Sequence, residues 1–164
     1  MPTYLTPLTL AFVHQSLAAA KNHVRAQRAA KDGQPEAAQA LRALAEAQEV
    51  HAKKALTFLR GQIGKSSENL ALALQEAREM AVNALGWTLQ SEADADKAAG
   101  SLLTQMARAV QSHLALPGLT QAEPGARYYV CVICGHIHVA AEGEAPARCP
   151  VCHAVPEKFN AVQG

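Results

Sequence analysis

The chain has 164 residues, with 49% hydrophobic and 18% charged side chains and a formal net charge of +1. This length fits one ordinary domain, or one domain plus a small module, and the composition excludes disorder as an overall description. The near-neutral charge lacks the basic footprint of a nucleic-acid binder and of a polybasic membrane anchor. No window approaches the roughly 18 apolar residues that a transmembrane helix needs. Leu5 to Val13 is apolar, but no Lys or Arg precedes Lys21, so it does not read as a secretory signal. Aromatics are only 4% and alanine is the commonest residue, which favours close-packed helices over sheets.

The first 118 residues predict four helices in two hairpins. Thr6 and Pro7 read as N-cap and first helical residue of a helix that runs to about Lys31 and stops at Asp32-Gly33. Pro35 opens a second helix that ends near Arg60-Gly61. Gly64 to Asn69 supplies turn and cap residues for a third helix, ending near Gln90. Ser91-Glu-Ala-Asp94 has the form of a capping box for a fourth, which ends before Pro117-Gly118. Apolar residues recur at helical spacing, as in Leu41, Leu44, Ala45, Ala52, Ala55, Leu56 and Leu59. Long helices joined by short loops imply an antiparallel four-helix bundle. Gln15 on helix one stands to His51 on helix two much as Glu76 on helix three stands to His113 on helix four, so the halves have a repeated register.

Those polar positions invite a metal-site reading. A di-iron site in a bundle takes one Glu from each of two helices and a Glu-x-x-His from each of the other two. Residues three apart share a helix face, and hard iron ions need several carboxylates to offset their charge. This chain keeps the register but has Gln15, Gln48 and Val110 where three acids belong. Glu76 remains, with Glu79 three residues on. Glu46 and Glu49 stand about 140° and 160° around the helix from His51 and are poor substitutes. Two carboxylates offset little of the charge of two ferrous ions, so the count argues against an intact di-iron centre. A single ion held by His51, Glu76, Glu79 and His113 stays open. So does a polar interior in which Gln15, Gln48 and the acids hydrogen-bond the two histidines.

The tail carries the sharper signal. All four cysteines lie in Cys131-Val-Ile-Cys134 and Cys149-Pro-Val-Cys152. A secreted disulfide framework spreads its cysteines to staple distant segments, whereas two tight CxxC pairs read as a four-thiolate site in a reducing compartment. Tetrahedral sulfur coordination suits iron or zinc. Gly135 follows the first pair where a knuckle wants a left-handed residue, and His153 takes that place after the second. His136, His138 and His153 read as surface residues, while Tyr129, Val130 and Phe159 are expected to cover the metal. So short a module has little core of its own, and bound metal would supply much of its stability. The turn-rich stretch Leu116 to Gly125 reads as a linker. The resulting division is a helical bundle over 1–118, a linker over 119–127 and a four-cysteine module over 128–164.

With these residues in view, the chain resembles a rubrerythrin, a ferritin-like four-helix bundle followed by a rubredoxin-like domain. The resemblance rests on Tyr129-Val-Cys131-Val-Ile-Cys134-Gly135, Pro146-Ala-Arg-Cys149-Pro150-Val-Cys152 and Phe159 in the tail. In the bundle it rests on Ala11-Phe12, Gln48-Glu-Val-His51-Ala52, Glu68-Asn69-Leu70, Glu76-Ala-Arg-Glu79 and His113. It implies a cytoplasmic homodimer that reduces hydrogen peroxide at a di-iron centre. Electrons would arrive singly from a redox partner through an Fe(Cys)4 site, commonly that of the partner subunit. Gln15, Gln48 and Val110 depart from the family acids and His153 from its usual Gly. The chemistry expected is therefore electron transfer at Cys131, Cys134, Cys149 and Cys152, with the bundle metal lost or reduced to one ion. The alternatives are a peroxidase with an unusual bundle site and a non-catalytic helical scaffold bearing a zinc ribbon.

Overall fold

The structure is a computed structural model, and it describes residues 5–59, 63–93, 97–116, 125–140 and 144–163. Four helices precede a small antiparallel sheet: α1 (Leu5–Lys31), α2 (Pro35–Phe58), α3 (Ser66–Ala93), α4 (Lys97–Leu114), β1 (Arg127–Cys131), β2 (Ile137–Ala140) and β3 (Phe159–Ala161). This is the mainly α class that the composition predicts. The chain divides into two compact units, Met1–Gly64 and Lys65–Gly164.

In the first unit, α1 ends on Gly33 at φ 71°. The Gln34 N–H donates to Ala29 O at 2.9 Å and the Gly33 N–H to Ala30 O at 3.2 Å, which satisfies carbonyls the helix would otherwise orphan. Arg28 adds an ion pair to Asp32 at 2.8 Å. Pro35 then starts α2, where a missing N–H costs nothing. The hairpin closes on small residues. Ala19, Asn22, Ala26 and Ala29 of α1 are buried at spacings of three and four, as are Ala38, Ala45, Ala52 and Ala55 of α2 at spacings of three and seven. Side chains this short let the two backbones approach closely. The cost is little apolar area per residue, and larger side chains are left outside. Leu10, Val13, Leu17 and Val24 make an exposed stripe on α1, and Leu44 of α2 is half exposed. Leu44 thus departs from the core role its periodicity suggested.

In the second unit, α3 is capped as the Gly64 to Asn69 stretch predicts. The Lys65 N–H donates to Glu68 Oε2 at 2.9 Å, one half of a capping box. The expected end near Gln90 is not observed. The helix runs through Ala93, so Ser91 is a helical residue and not the N-cap of α4, which begins at Lys97. Glu92 and Ala93 are strong helix formers, and they extend α3 across the stretch that had read as a cap. Likewise α1 already includes Leu5, one residue ahead of the expected cap at Thr6. Among the described residues, Ala81 and Ala84 of α3 and Ala107, Ala109 and Val110 of α4 are the buried ones of this pair. Arg60-Gly61, Asp94, Pro117-Gly118 and most of the expected linker lie outside the described residues.

The sheet has strand order β2-β1-β3, all antiparallel, with Tyr129 opposite His138 and Cys131 opposite Phe159. Its small core is Cys131, Cys149 and Phe159, with Tyr129, Ala145, Val151 and Ala154 packed around them. Val130 is only partly buried and lies outside that cluster. Strand alternation explains the difference: Tyr129 and Cys131 share one face of β1 and Val130 points to the other.

Candidate metal centre

Two short backbone loops place the four thiols. In the first, the Cys131 N–H donates to His136 O and the Gly135 N–H to Cys131 O, both at 2.9 Å. In the second, the Cys149 N–H donates to Ala154 O and the His153 N–H to Cys149 O, again at 2.9 Å. The loops are equivalent residue for residue, eighteen positions apart. Both need a left-handed residue after the second cysteine: Gly135 has φ 76° and His153 has φ 61°. His153 therefore adopts the conformation that its place in the sequence required. Arg148 donates to its carbonyl at 3.2 Å.

All four thiols are free, and their sulfur atoms lie within 4.8 Å of one another. Cys131 Sγ is 3.6 Å from Cys152 Sγ, and Cys134 Sγ is 3.6 Å from Cys149 Sγ. Metal–sulfur bonds of about 2.3 Å in a tetrahedron put sulfurs about 3.8 Å apart, so the thiols are spaced for one ion. Each loop has one fully buried cysteine, Cys131 or Cys149, and one partly buried, Cys134 or Cys152.

Backbone N–H groups are aimed at the sulfurs. That of His136 points at Cys134, those of Cys152 and Val151 at Cys149, and that of Ala154 at Cys152. Burial pushes the Cys134 thiol well above its ordinary range, with the neighbouring thiols adding to the rise and the His136 N–H opposing it. Burial also raises Cys152, against the Ala154 N–H. Burial opposes ionisation of Cys149 too, but the N–H groups of Cys152 and Val151, together with the neighbouring Cys134 and Cys152 thiols, outweigh it and its thiol lies below the usual value. A cluster of uncharged thiols has no use for such donors, whereas a set of thiolates on a cation does. The donor set thus fits a soft-ligand metal ion.

The helical candidates are arranged differently. Among the described residues, the four cysteines form the one group of three or more candidate ligands with converging donor atoms. His51 is an exposed residue of α2. On α3, Glu79 accepts a hydrogen bond from Gln75 at 2.9 Å, and Glu76 is exposed. Val110 is buried among the alanines of α4, in an apolar contact surface. Gln48 Oε1 accepts from Asn22 Nδ2 at 2.9 Å, and Asn22 Oδ1 accepts from Arg25 at 2.8 Å. Gln48 is therefore satisfied by a buried amide and not by a histidine. One residue further along each helix, His23 Nε2 lies 2.8 Å from Glu49 Oε1. Asn22 and His23 carry no metal-ligand spacing. The signal for Asn22 was the heptad-like run Ala19, Asn22, Ala26, Ala29, which puts an amide among alanines at the hairpin seam; His23 lies outside that run.

His113, the remaining candidate, meets the four-cysteine module. Its Nε2 lies 3.0 Å from Gly135 O. Next to it, the Ile137 N–H donates to Ser112 Oγ at 3.0 Å. His136 Nδ1 is buried without a hydrogen-bond partner. Burial, aided by nearby His138 and His113, holds the His136 imidazole below its usual pKa.

Comparison with known proteins matches this geometry. Residues 129–160 match the family model of the rubrerythrin rubredoxin-like domain. Solved structures of nigerythrin in a mixed-valence state and in a fully reduced, all-ferrous state share the fold. Each is 19% identical, with TM-score 0.52, covering 99% of this chain and 88% of that one. A partially reduced nigerythrin matches at TM-score 0.51. No curated protein sequence matches the chain. The module is a rubredoxin-like domain with four converging cysteines, following two helical hairpins in the chain. In sequence across that module, and in fold across the chain, the protein is rubrerythrin-like.

Proposed function

We propose that this protein carries single electrons on one iron ion held by Cys131, Cys134, Cys149 and Cys152. The observation that carries the reading is the set of four converging thiols with backbone N–H groups directed at three of them. Bound iron would supply a one-electron Fe(III)/Fe(II) couple. The chain supplies the rest. The paired loops fix the sulfur positions through backbone hydrogen bonds, which leaves little to reorganise when charge changes. The N–H groups offset the negative charge on sulfur. Tyr129, Val151 and Phe159 keep water from the buried thiols.

The hairpins serve in this reading as a scaffold that pairs two copies of the chain, in a reducing cytoplasm where free thiols persist. The exposed stripe Leu10, Val13, Leu17 and Val24 supports the pairing, because an apolar helix face is stabilised by burial. Gln48 and Val110 are engaged in an amide pair and an apolar contact, so the reading assigns peroxide chemistry to neither hairpin. Metal analysis with an optical spectrum tests the proposal. The expected result is one iron per chain, red when oxidised and bleached by dithionite. A colourless protein holding one zinc overturns it.

A further inference from the structure

We infer that His113, at the end of α4, is a positioning residue that raises the reduction potential of the four-cysteine iron through the peptide joining Gly135 to His136. The inference rests on the iron reading above. A carbonyl oxygen only accepts, so at 3.0 Å the Nε2–H of His113 donates to Gly135 O. The neutral Nε2–H tautomer and the imidazolium can both do this, so no change of charge is required. The same peptide unit carries the His136 N–H, which is aimed at Cys134 Sγ. The three groups make a chain: imidazole N–H to carbonyl, then amide N–H to sulfur. Hydrogen bonds in series polarise one another, so a donor on the oxygen strengthens the N–H on the far side.

Reduction takes one electron from an external donor, turns Fe(III) into Fe(II) and moves no proton, so the net charge on iron and four thiolates goes from −1 to −2. A stronger N–H dipole at Cys134 favours the more negative state. The second loop is held differently: the Ala154 N–H points at Cys152, but the carbonyl of His153 accepts from exposed Arg148 at 3.2 Å, a longer contact. Ser112 is the second clasp, its Oγ accepting from Ile137 N–H while donating to Ala109 O at 2.6 Å. It holds the same segment without touching the peptide at Cys134, which makes it the control.

The test uses full-length protein. Iron-loaded samples are titrated spectroelectrochemically, and zinc-loaded samples are examined by amide NMR. His113→Leu should lower the equilibrium constant for reduction about threefold to tenfold, tenfold being about 59 mV for one electron. The His136 amide proton should move upfield in the zinc form, with those of Val151 and Ala154 unmoved. His113→Gln, which keeps an N–H donor, should restore most of both, and Ser112→Ala should leave the potential near that of the parent. If His113→Leu does not fold, His113→Asn, too short to reach Gly135 O, replaces it. A reversible couple that does not move in the donor-free variant overturns this inference and leaves the iron reading standing. No reversible couple overturns the iron reading, and an unmoved His136 amide in the zinc form then overturns the polarisation as well.

Discussion

Gly135 and His153 occupy equivalent corners of the two loops, yet only one is glycine. Both have positive φ, a region where a Cβ costs roughly 1–2 kcal/mol. A Cβ built on Gly135 meets nothing within 4 Å, so the whole penalty of Gly135→Ala comes from backbone conformation. That variant should lose about 1 kcal/mol of metal-loaded stability, read as a shift in thermal or chelator-driven unfolding. His153→Gly should change stability by less than about 1 kcal/mol, because relief of strain is offset by the added freedom of the unfolded chain. The cysteine spacing made the convergence of the four thiols legible from sequence, and the place after each pair made both left-handed residues legible too. The role of His113 was not. As a histidine on a helix it had the look of a bundle ligand, and only the approach of the Gly135 carbonyl shows what its Nε2 meets.

At the scale of elements, the α1–α2 hairpin is closed by alanines and crossed by the Asn22–Gln48 and His23–Glu49 contacts. Ala45 is fully buried at the seam, so Ala45→Leu has no space to enter. It should destabilise the first unit by about 1–3 kcal/mol, measurable by urea unfolding. The His23–Glu49 pair predicts a pH dependence. Its hydrogen bond holds the Glu49 carboxyl below its ordinary value of 4.5, over a smaller opposing effect of burial. A carboxylate depressed in the folded state contributes stability above the unfolded value and loses it as pH falls through the lower folded one. The stability difference between the parent protein and Glu49→Gln should therefore shrink as pH falls through and below 4.5, where the carboxylate takes up its proton. A difference that persists in acid would show that the variant acts through packing. The expected helices were legible because proline and glycine punctuate them, except at Ser91. There a capping pattern lost to residues that simply continue α3, since a local cap competes with helix propagation and does not dictate it.

For the whole molecule, the proposed metal site predicts an uneven division of stability. Among the described residues the module's core cluster has only Cys131, Cys149 and Phe159 as buried side chains, so bound metal is expected to supply much of its stability. The helices have their own seams of buried alanine. Chelation should erase the dispersed amide signals of the sheet and both thiol loops and leave most of the helical circular dichroism. Loss of both together would show that the helices depend on the metal. The proposed pairing of chains predicts a sedimenting species near twice 17.3 kDa. Leu17→Glu and Val24→Glu, on the exposed stripe, should shift it toward the monomer.

By itself the order of residues determined the local features: four helices, two tight thiol pairs, the left-handed corners and the shortage of acids in the hairpins. Each depends on neighbours a few positions apart, where spacing translates directly into geometry. Only the tertiary structure decided which polar groups meet across the chain. Gln48 meets Asn22, Val110 lies in an apolar seam, and His113 reaches the four-cysteine module. Those pairings depend on how closely packed backbones approach one another, and a histidine has the same letters whether it faces an ion or a carbonyl.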